Sequence, residues 1–181
     1  NWSTFKPFGP AKGWWRDRVR GSELVQHPTK PGKSVLRIAK PDEKVADGAM
    51  WNFPAGRSGK VKARIRINAG FRGATISLLD HFFDPTDDAG DKNATFSMNI
   101  APDGNANGKR AFKIGTFHEL EITWDLEKQT ATVNVDGADA GAIPVRANPP
   151  HGLSYLRFRS AAKEKDTAGL LIESVKAEVR P

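Results

Sequence analysis

Two glutamates on one short segment, Glu119 and Glu121, have the clearest potential for acid and base chemistry. They alternate with the apolar residues Leu120, Ile122 and Trp124, which is the pattern of a half-buried strand. Alternate side chains on a strand share a face and lie about 7 Å apart. That separation is close to the spacing of the carboxylate pair used in glycoside hydrolysis. The interpretation we favour is structural, with both carboxylates in ion pairs to Lys or Arg on neighbouring strands.

A second group of potential ligands is the acidic loop, residues 80–91, which contains the five aspartates Asp80, Asp84, Asp87, Asp88 and Asp91. Closely spaced carboxylate oxygens are what Ca²⁺ prefers. The segment lacks the Asp-x-Asp-x-Asp-Gly order of a helix-flanked calcium loop, so we interpret it as a solvated acidic loop, with calcium as the alternative. The four histidines are scattered and show no metal-ligand spacing. We therefore predict that the protein needs no cofactor.

Cationic side chains form the most extensive polar pattern in the chain. Strict alternation over residues 60–67 puts Lys60, Lys62, Arg64 and Arg66 on one face of a strand, and Val61, Ala63, Ile65 and Ile67 on the other. A second strand presents Arg157 and Arg159 outward. If both strands contribute to one sheet face, their cations form a platform that can bind sulfates or carboxylates. The alternative is a solvated outer face.

Flat aromatic rings are candidates for stacking against sugar rings. Trp14 and Trp15 fall in a Gly- and Pro-containing segment that we predict to be a loop, so at least one indole ring is expected to be exposed. Tyr155 is predicted to face outward beside the two arginines of its strand, whereas Trp51 and Trp124 are predicted to pack in the core. The candidate ligand-binding residues are therefore Trp14, Trp15, Arg64, Arg66, Tyr155, Arg157 and Arg159.

The element that positions these residues is the segment 117–137. Its first half is the alternating strand described above, and after a polar loop at 125–129 the residues Ala131, Val133 and Val135 alternate again. The pattern predicts a β-hairpin that ends in an Asp-Gly turn. An edge strand followed by a loop is predicted within 1–20. Further strands are predicted at 21–27, 33–40, 48–54, 60–67, 74–83, 93–101, 110–115, 153–160 and 169–180. The segment 141–150 is predicted to be irregular, and 159–167 to form a single helical turn.

Short strands separated by Gly, Pro, Asn and Asp predict an all-β protein, built as a two-sheet antiparallel β-sandwich or jelly roll. The 181 residues, 38% of them hydrophobic, suit one domain over 1–181.

The absence of cysteine excludes disulfides, thiolate zinc sites and cysteine nucleophiles. The net charge of +7 favours anionic partners. Nucleic acid is not expected because no basic helix is predicted, and no apolar run approaches the roughly 18 residues that cross a membrane.

A resemblance to a known superfamily rests on the last third of the chain. It is carried by the segments 117–125 (FHELEITWD), 132–137 (TVNVDG), 153–158 (LSYLRF) and 170–178 (LLIESVKAE). In order and type, these segments resemble the concanavalin A-like lectin and glucanase superfamily, which includes laminin G-like domains. The resemblance implies a jelly roll with a glycan-related role, as an accessory domain of a larger secreted carbohydrate-active enzyme. It also implies an extracellular or periplasmic location.

The resemblance bears on the candidate sites as well. Superfamily members that hydrolyse glucans carry an acidic triplet, whereas Thr123 stands beyond Glu121 here. Lyases of the superfamily use Arg, Gln, His and Tyr in one groove, but this chain has a single tyrosine and no alternating Gln-x-His. Legume-type lectins of the superfamily hold calcium near the sugar through Asp and Asn, so the candidates for the alternative calcium site are Asp84, Asp87, Asp88 and Asn93.

The leading hypothesis is a non-catalytic carbohydrate-binding domain that prefers an anionic polysaccharide. The first alternative is a glycoside hydrolase or polysaccharide lyase of the same fold, with Glu119 and Glu121 as the catalytic residues. The second alternative is a laminin G-like protein-interaction domain. None of the three hypotheses includes nucleic acid or a membrane as a partner.

Overall fold

Two antiparallel sheets lie face to face, and side chains from both form the hydrophobic core. The computed structural model describes residues 22–44 and 46–180. Trp14, Trp15 and the edge strand predicted within 1–20 lie outside the described residues. In chain order the elements are β1 (Glu23–Gln26), β2 (Ser34–Lys40), β3 (Gly48–Gly56), β4 (Ser58–Ile67), β5 (Ala74–Leu79), α1 (Ala89–Asn93), β6 (Phe96–Ile100), β7 (Asn105–Ala106), β8 (Lys109–Arg110), β9 (Phe117–Asp125), β10 (Thr130–Val135), β11 (Ala138–Ile143), β12 (Leu153–Ser160) and β13 (Asp166–Arg180).

The chain crosses repeatedly between the two sheets. Sheet A contains seven strands in the order β1-β2-β13-β4-β9-β10-β11, and sheet B contains six in the order β3-β12-β5-β6-β7-β8. Some strands that are adjacent in sequence, such as β3 and β4 or β12 and β13, therefore lie in different sheets. This arrangement confirms the predicted all-β class and the two-sheet antiparallel sandwich.

The predicted central hairpin is present as β9 and β10, with Trp124 opposite Ala131 and Leu120 opposite Val135. The Asp-Gly turn then joins β10 to β11. Asp136 and Gly137 have φ values of 52° and 81°, the left-handed conformation that a two-residue hairpin turn requires. We expected residues from 141 onward to be irregular, but β11 continues to Ile143. Its Ala, Asp and Gly residues have low strand propensity, so cross-strand pairing with β10 decides its conformation.

The alternation of β4 is as predicted, and it supplies a large share of the core. Val61, Ala63, Ile65 and Ile67 are all buried. Trp124 of β9 is also buried, and its indole N–H donates a hydrogen bond to the carbonyl of Gly56 at 3.3 Å. Its ring lies 5.7 Å from that of Phe53, so it joins the inner faces of the two sheets. Trp51 is partly buried against the same core, which agrees with its predicted position.

The helical turn predicted at 159–167 is absent, and the short helix α1 lies in the acidic loop instead. The segment Ala161-Ala-Lys-Glu-Lys165 has helix-favouring composition, but the carbonyls of Ala162 and Lys163 accept hydrogen bonds from the ammonium of Lys40. Tertiary contacts therefore override local propensity. Within the described ranges, no helix is long and apolar enough to cross a membrane.

Candidate functional site

The outer face of β4 carries the four predicted cations, but carboxylates on adjacent strands neutralise most of them. The Lys62 ammonium lies 3.0 Å from Glu119 and 3.1 Å from Glu121, and these hydrogen bonds raise the pKa of Lys62. Lys60 pairs with Glu178 at 3.2 Å, and Arg64 pairs with Glu173 at 2.5 Å. Arg66 donates instead to the side-chain oxygen of Asn68 at 2.8 Å.

The candidate catalytic pair, Glu119 and Glu121, is part of this same network. Register places both glutamates of β9 directly opposite β4, with Glu119 facing Arg64 and Glu121 facing Lys62. A general acid in glycoside hydrolysis needs surroundings that favour the protonated carboxyl group. Here both carboxylates contact the ammonium of Lys62 instead. The contacts are those of the cross-strand ion pairs that we favoured from the sequence.

The condition for a six-cation platform is not met, because the two groups of cations lie in different sheets. β4 is a central strand of sheet A, whereas β12, which carries Arg157 and Arg159, lies between β3 and β5 in sheet B. Alternation along a strand determines which side chains share a face of that strand, but it does not determine which sheet the strand joins. Arg64 and Arg66 therefore cannot act together with Arg157 and Arg159 on one sheet face.

On β12, the outward register of Tyr155, Arg157 and Arg159 is as predicted, since Leu156 and Phe158 are buried on the opposite side. Arg157 is nevertheless 0% exposed. The acidic loop lies over it, and its guanidinium donates to the Asp91 carboxylate at 2.5 Å, to the Asp84 carbonyl at 3.3 Å and to the Asp87 carbonyl. Burial lowers the pKa of Arg157, and the Asp91 charge opposes that effect. Arg157 thus holds the loop and is not open to a ligand.

Asp91 is the acceptor at the centre of this arrangement. Its second carboxylate oxygen binds Arg159 at 2.9 Å, and the Thr75 hydroxyl donates to the first at 2.9 Å. One loop carboxylate therefore forms ion pairs with both arginines of β12. Sequence reasoning placed Asp91 within the acidic loop but missed this role. The sequence contained one signal of this role. Two arginines predicted to face outward need anionic partners, and the same chain contains an acidic loop that can supply one.

The alternative calcium ligands are engaged in local hydrogen bonds of the loop. Asp84 accepts from the Thr86 amide at 2.8 Å and the Thr86 hydroxyl at 2.7 Å, and Asp87 accepts from the Ala89 amide at 2.9 Å. Asp88 and Asn93 are exposed at the two ends of α1. Among the described residues, no group of three or more His, Asp or Glu side chains is arranged to hold a metal ion. Calcium binding stays a prediction.

A polar cleft of about 410 Å³ opens beside Arg159. Its cationic lining residues are Lys40, Lys44 and Arg159, and its acidic lining residues are Asp84, Asp87 and Asp88. Thr86 adds a hydroxyl, and two alanines complete the wall. The cleft therefore presents hydrogen-bond donors and acceptors of both charges to one bound molecule.

An aromatic pair, formed by exposed Phe82 and half-buried Tyr155, lies at the other end of the outward face of β12. The ring of Phe82 is 6.4 Å from that of Tyr155, in an edge-to-face arrangement, and Phe82 is 61% exposed. Asn52 lies opposite Tyr155 on β3 and is exposed. His81 is held by the Asp80 carboxylate at 2.7 Å. Sequence analysis identified Tyr155 but missed Phe82, although the run His81-Phe82-Phe83 near the start of the acidic loop was a signal.

Comparison with known proteins defines the fold of this chain. No family model and no curated protein sequence matches it. A solved structure named sialidase matches 88% of the chain with a TM-score of 0.58 and 16% identity, over only 17% of that enzyme's own length. The galectin LEC-6 of Caenorhabditis elegans matches 78% of the chain and 95% of its own length, with a TM-score of 0.52 and 12% identity. A toad ovary galectin matches 72% and 98%, with a TM-score of 0.52 and 14% identity. The chain thus has the jelly-roll sandwich fold that galectins share.

Proposed function

We propose that this protein is a non-catalytic, lectin-like carbohydrate-binding domain that binds sugar on the outer face of sheet B. The observation that carries the proposal is the exposed ring of Phe82 against the half-buried ring of Tyr155, placed beside the polar side chains of Asn52, Asp80 and His81. A sugar ring combines apolar C–H surfaces with a rim of hydroxyls. Flat aromatic rings surrounded by a few hydrogen-bonding groups are complementary to that chemistry.

The exposure of Phe82 is the strongest single reason to expect a ligand here. Within the part of the chain that the structure describes, Phe82 and Ile114 are the large hydrophobic residues classed as exposed. Phe82 is held by its contact with Tyr155, whose strand position is fixed by pairing with β3 and β5. Phe82 itself belongs to the acidic loop, and its contact with a residue of the sheet reduces the conformational entropy that its ring can lose on stacking against a ligand.

The fold supports the same proposal by analogy. Galectins align over nearly their whole length, and one of them, the toad ovary galectin, is described as a complex with thio-digalactose. Fold alone does not fix function, so the argument depends on the residues of the sheet B face. The ion pairs of Glu119 and Glu121 with Lys62 give no support to the catalytic alternative.

The setting of the domain is also part of the proposal. The match to a segment of a sialidase supports an accessory domain within a larger carbohydrate-active enzyme, as the sequence resemblance implied. A secreted location, extracellular or periplasmic, follows from the same reasoning. No observation favours the laminin G-like interaction role over carbohydrate binding.

The experiment is a glycan-array and affinity-gel screen of the full chain, on neutral and acidic glycans, beside Phe82→Ala and Ile114→Ala. Ile114 is the matched control because it is 44% exposed and lies outside the sheet B face, in the segment between β8 and β9. We expect Phe82→Ala to weaken binding about tenfold or more, since it removes the area of one aromatic side chain. Ile114→Ala should bind like the parent. No retention of the parent on any glycan overturns the proposed function.

A further inference from the structure

Lys40 is a largely buried residue whose ammonium group has no carboxylate partner among the described residues. Lys40 is only 8% exposed, and its Nζ donates to the carbonyls of Ala162 at 3.1 Å and Lys163 at 2.9 Å. Among residues 22–44 and 46–180, no Asp or Glu oxygen lies within 4.0 Å of this nitrogen. Two neutral carbonyls satisfy two of its three N–H groups, and no counter-charge is in direct contact with it.

An uncompensated buried charge is costly, and proteins normally supply a counter-charge. Arg157, the other strongly buried cation, follows this rule, since Asp91 neutralises it at 2.5 Å. Lys40 has no carboxylate partner of this kind, but it lines an open cleft. A bound anionic group in that cleft would provide the missing charge.

The remaining walls of the cleft indicate what else the ligand must carry. Lys44 and Arg159 add two further cations, whereas Asp84, Asp87 and Asp88 add three carboxylates. A simple anion such as free sulfate would meet repulsion from those carboxylates. A molecule that also carries hydroxyls can donate hydrogen bonds to them, and such charge-assisted bonds are strong. The lining therefore suits one acidic group together with several hydroxyl groups.

We propose that the cleft binds an acidic sugar unit, a uronic acid or a sulfated sugar, with its anionic group at Lys40 and its hydroxyls toward the aspartates. This inference rests on the proposed carbohydrate-binding function and assigns it a ligand class. The site differs from the basic strand β4, where cross-strand carboxylates neutralise the cations. Tyr155 of the aromatic pair and Arg159 beside the cleft are four residues apart on β12, which is about 13 Å at the rise of a strand. A ligand that contacts both the aromatic pair and the cleft must therefore contain more than one sugar unit.

The test is calorimetric titration of the full chain with tetrasaccharides of polygalacturonate, alginate and chondroitin sulfate, each beside its carboxyl-reduced or desulfated counterpart. The variants are Lys40→Gln, which retains a hydrogen-bond donor, and Lys44→Ala at the rim, with exposed Lys176→Gln of sheet A as the control. Thermal melting of each variant establishes that it is folded.

We expect at least one acidic tetrasaccharide to bind better than its neutral counterpart, and Lys40→Gln to weaken it about ten- to a hundredfold. Lys44→Ala should weaken it less, because its charge is exposed and screened. If Lys40→Gln does not fold, a loss of acid preference in Lys44→Ala still supports the proposal. The acidic-sugar proposal is overturned if the acidic and neutral forms bind equally, or if both folded variants keep the affinity of the parent. Either result leaves the proposed carbohydrate-binding function standing. Binding of inorganic sulfate as tightly as of the sulfated sugar also overturns it.

Discussion

Arg157 shows how one side chain can close a surface that strand alternation predicts to be open. It faces outward from sheet B, yet it is fully buried because the acidic loop lies over it. The acidic loop has no regular structure apart from α1. The Arg157 guanidinium supplies several of the hydrogen bonds that hold this loop in place. A buried charge with fixed partners is expensive to break on one side only.

Removal of this group should therefore destabilise the protein strongly. We expect Arg157→Ala to lower the free energy of unfolding by roughly 3–5 kcal/mol, since the variant leaves loop carbonyls without their buried donor. Urea denaturation followed by tryptophan fluorescence measures the change, with exposed Arg110→Ala of β8 as the control at about 0.5 kcal/mol or less. Equal stability of the two variants would show that Arg157 does not hold the loop.

The turn between β10 and β11 is the element whose electrostatics are best defined. The Asp136 carboxylate accepts from the Glu119 amide at 2.8 Å and from the His118 ring at 2.6 Å. Burial would raise the pKa of Asp136, but these two hydrogen bonds outweigh it and hold the pKa below its ordinary value of 3.8. The His118 Nε2 atom also lies 2.9 Å from the Lys113 amide nitrogen, which fixes the orientation of the ring.

The direction of this pKa shift predicts a pH dependence. A carboxyl group with a lowered folded pKa stabilises the protein fully above its unfolded pKa, and that contribution is lost as the pH falls through the folded value. Asp136→Asn should thus be less stable than the parent at pH 7, and the difference should shrink below about pH 3.8. Urea midpoints between pH 7 and pH 2.5 measure it, beside Glu127→Gln as an exposed control. A difference that is independent of pH would contradict this account of Asp136.

At the scale of strands and turns, the local sequence pattern predicted three features: the hairpin of β9 and β10, the alternation of β4 and the outward side of β12. These features depend on neighbouring residues only, which is why alternation and turn chemistry suffice. Two facts could not be predicted in this way. Membership of β4 and β12 in different sheets depends on long-range pairing, and the cover over Arg157 depends on a loop whose path no periodic pattern encodes.

For the molecule as a whole, the two outer faces differ in how their charges are used. On sheet A, acidic residues of β9 and β13 neutralise most of the cations of β4 across the strands. On sheet B, the acidic loop covers the centre and leaves an aromatic pair at one end and a polar cleft at the other. Ligand binding is therefore expected on sheet B, although the net charge and the basic strand had directed attention to sheet A.

A double variant on sheet A tests this contrast. Arg64→Ala/Arg66→Ala should leave glycan affinity within about twofold of the parent and lower stability by about 1 kcal/mol or less, because exposed ion pairs contribute little. Affinity on the glycans retained by the parent provides the measurement. A tenfold loss of affinity in the folded double variant would return the binding site to the basic strand.

The central claim is that sugar binds on the outer face of sheet B, and the most direct test is NMR titration of the ¹⁵N-labelled full chain with a glycan selected by the array. We predict that the perturbed amides cluster on β12, at residues 80–88 and around Lys40, with those of β4 and β9 unchanged. Perturbations confined to β4 and β9, or scattered evenly over both sheets, would contradict the account.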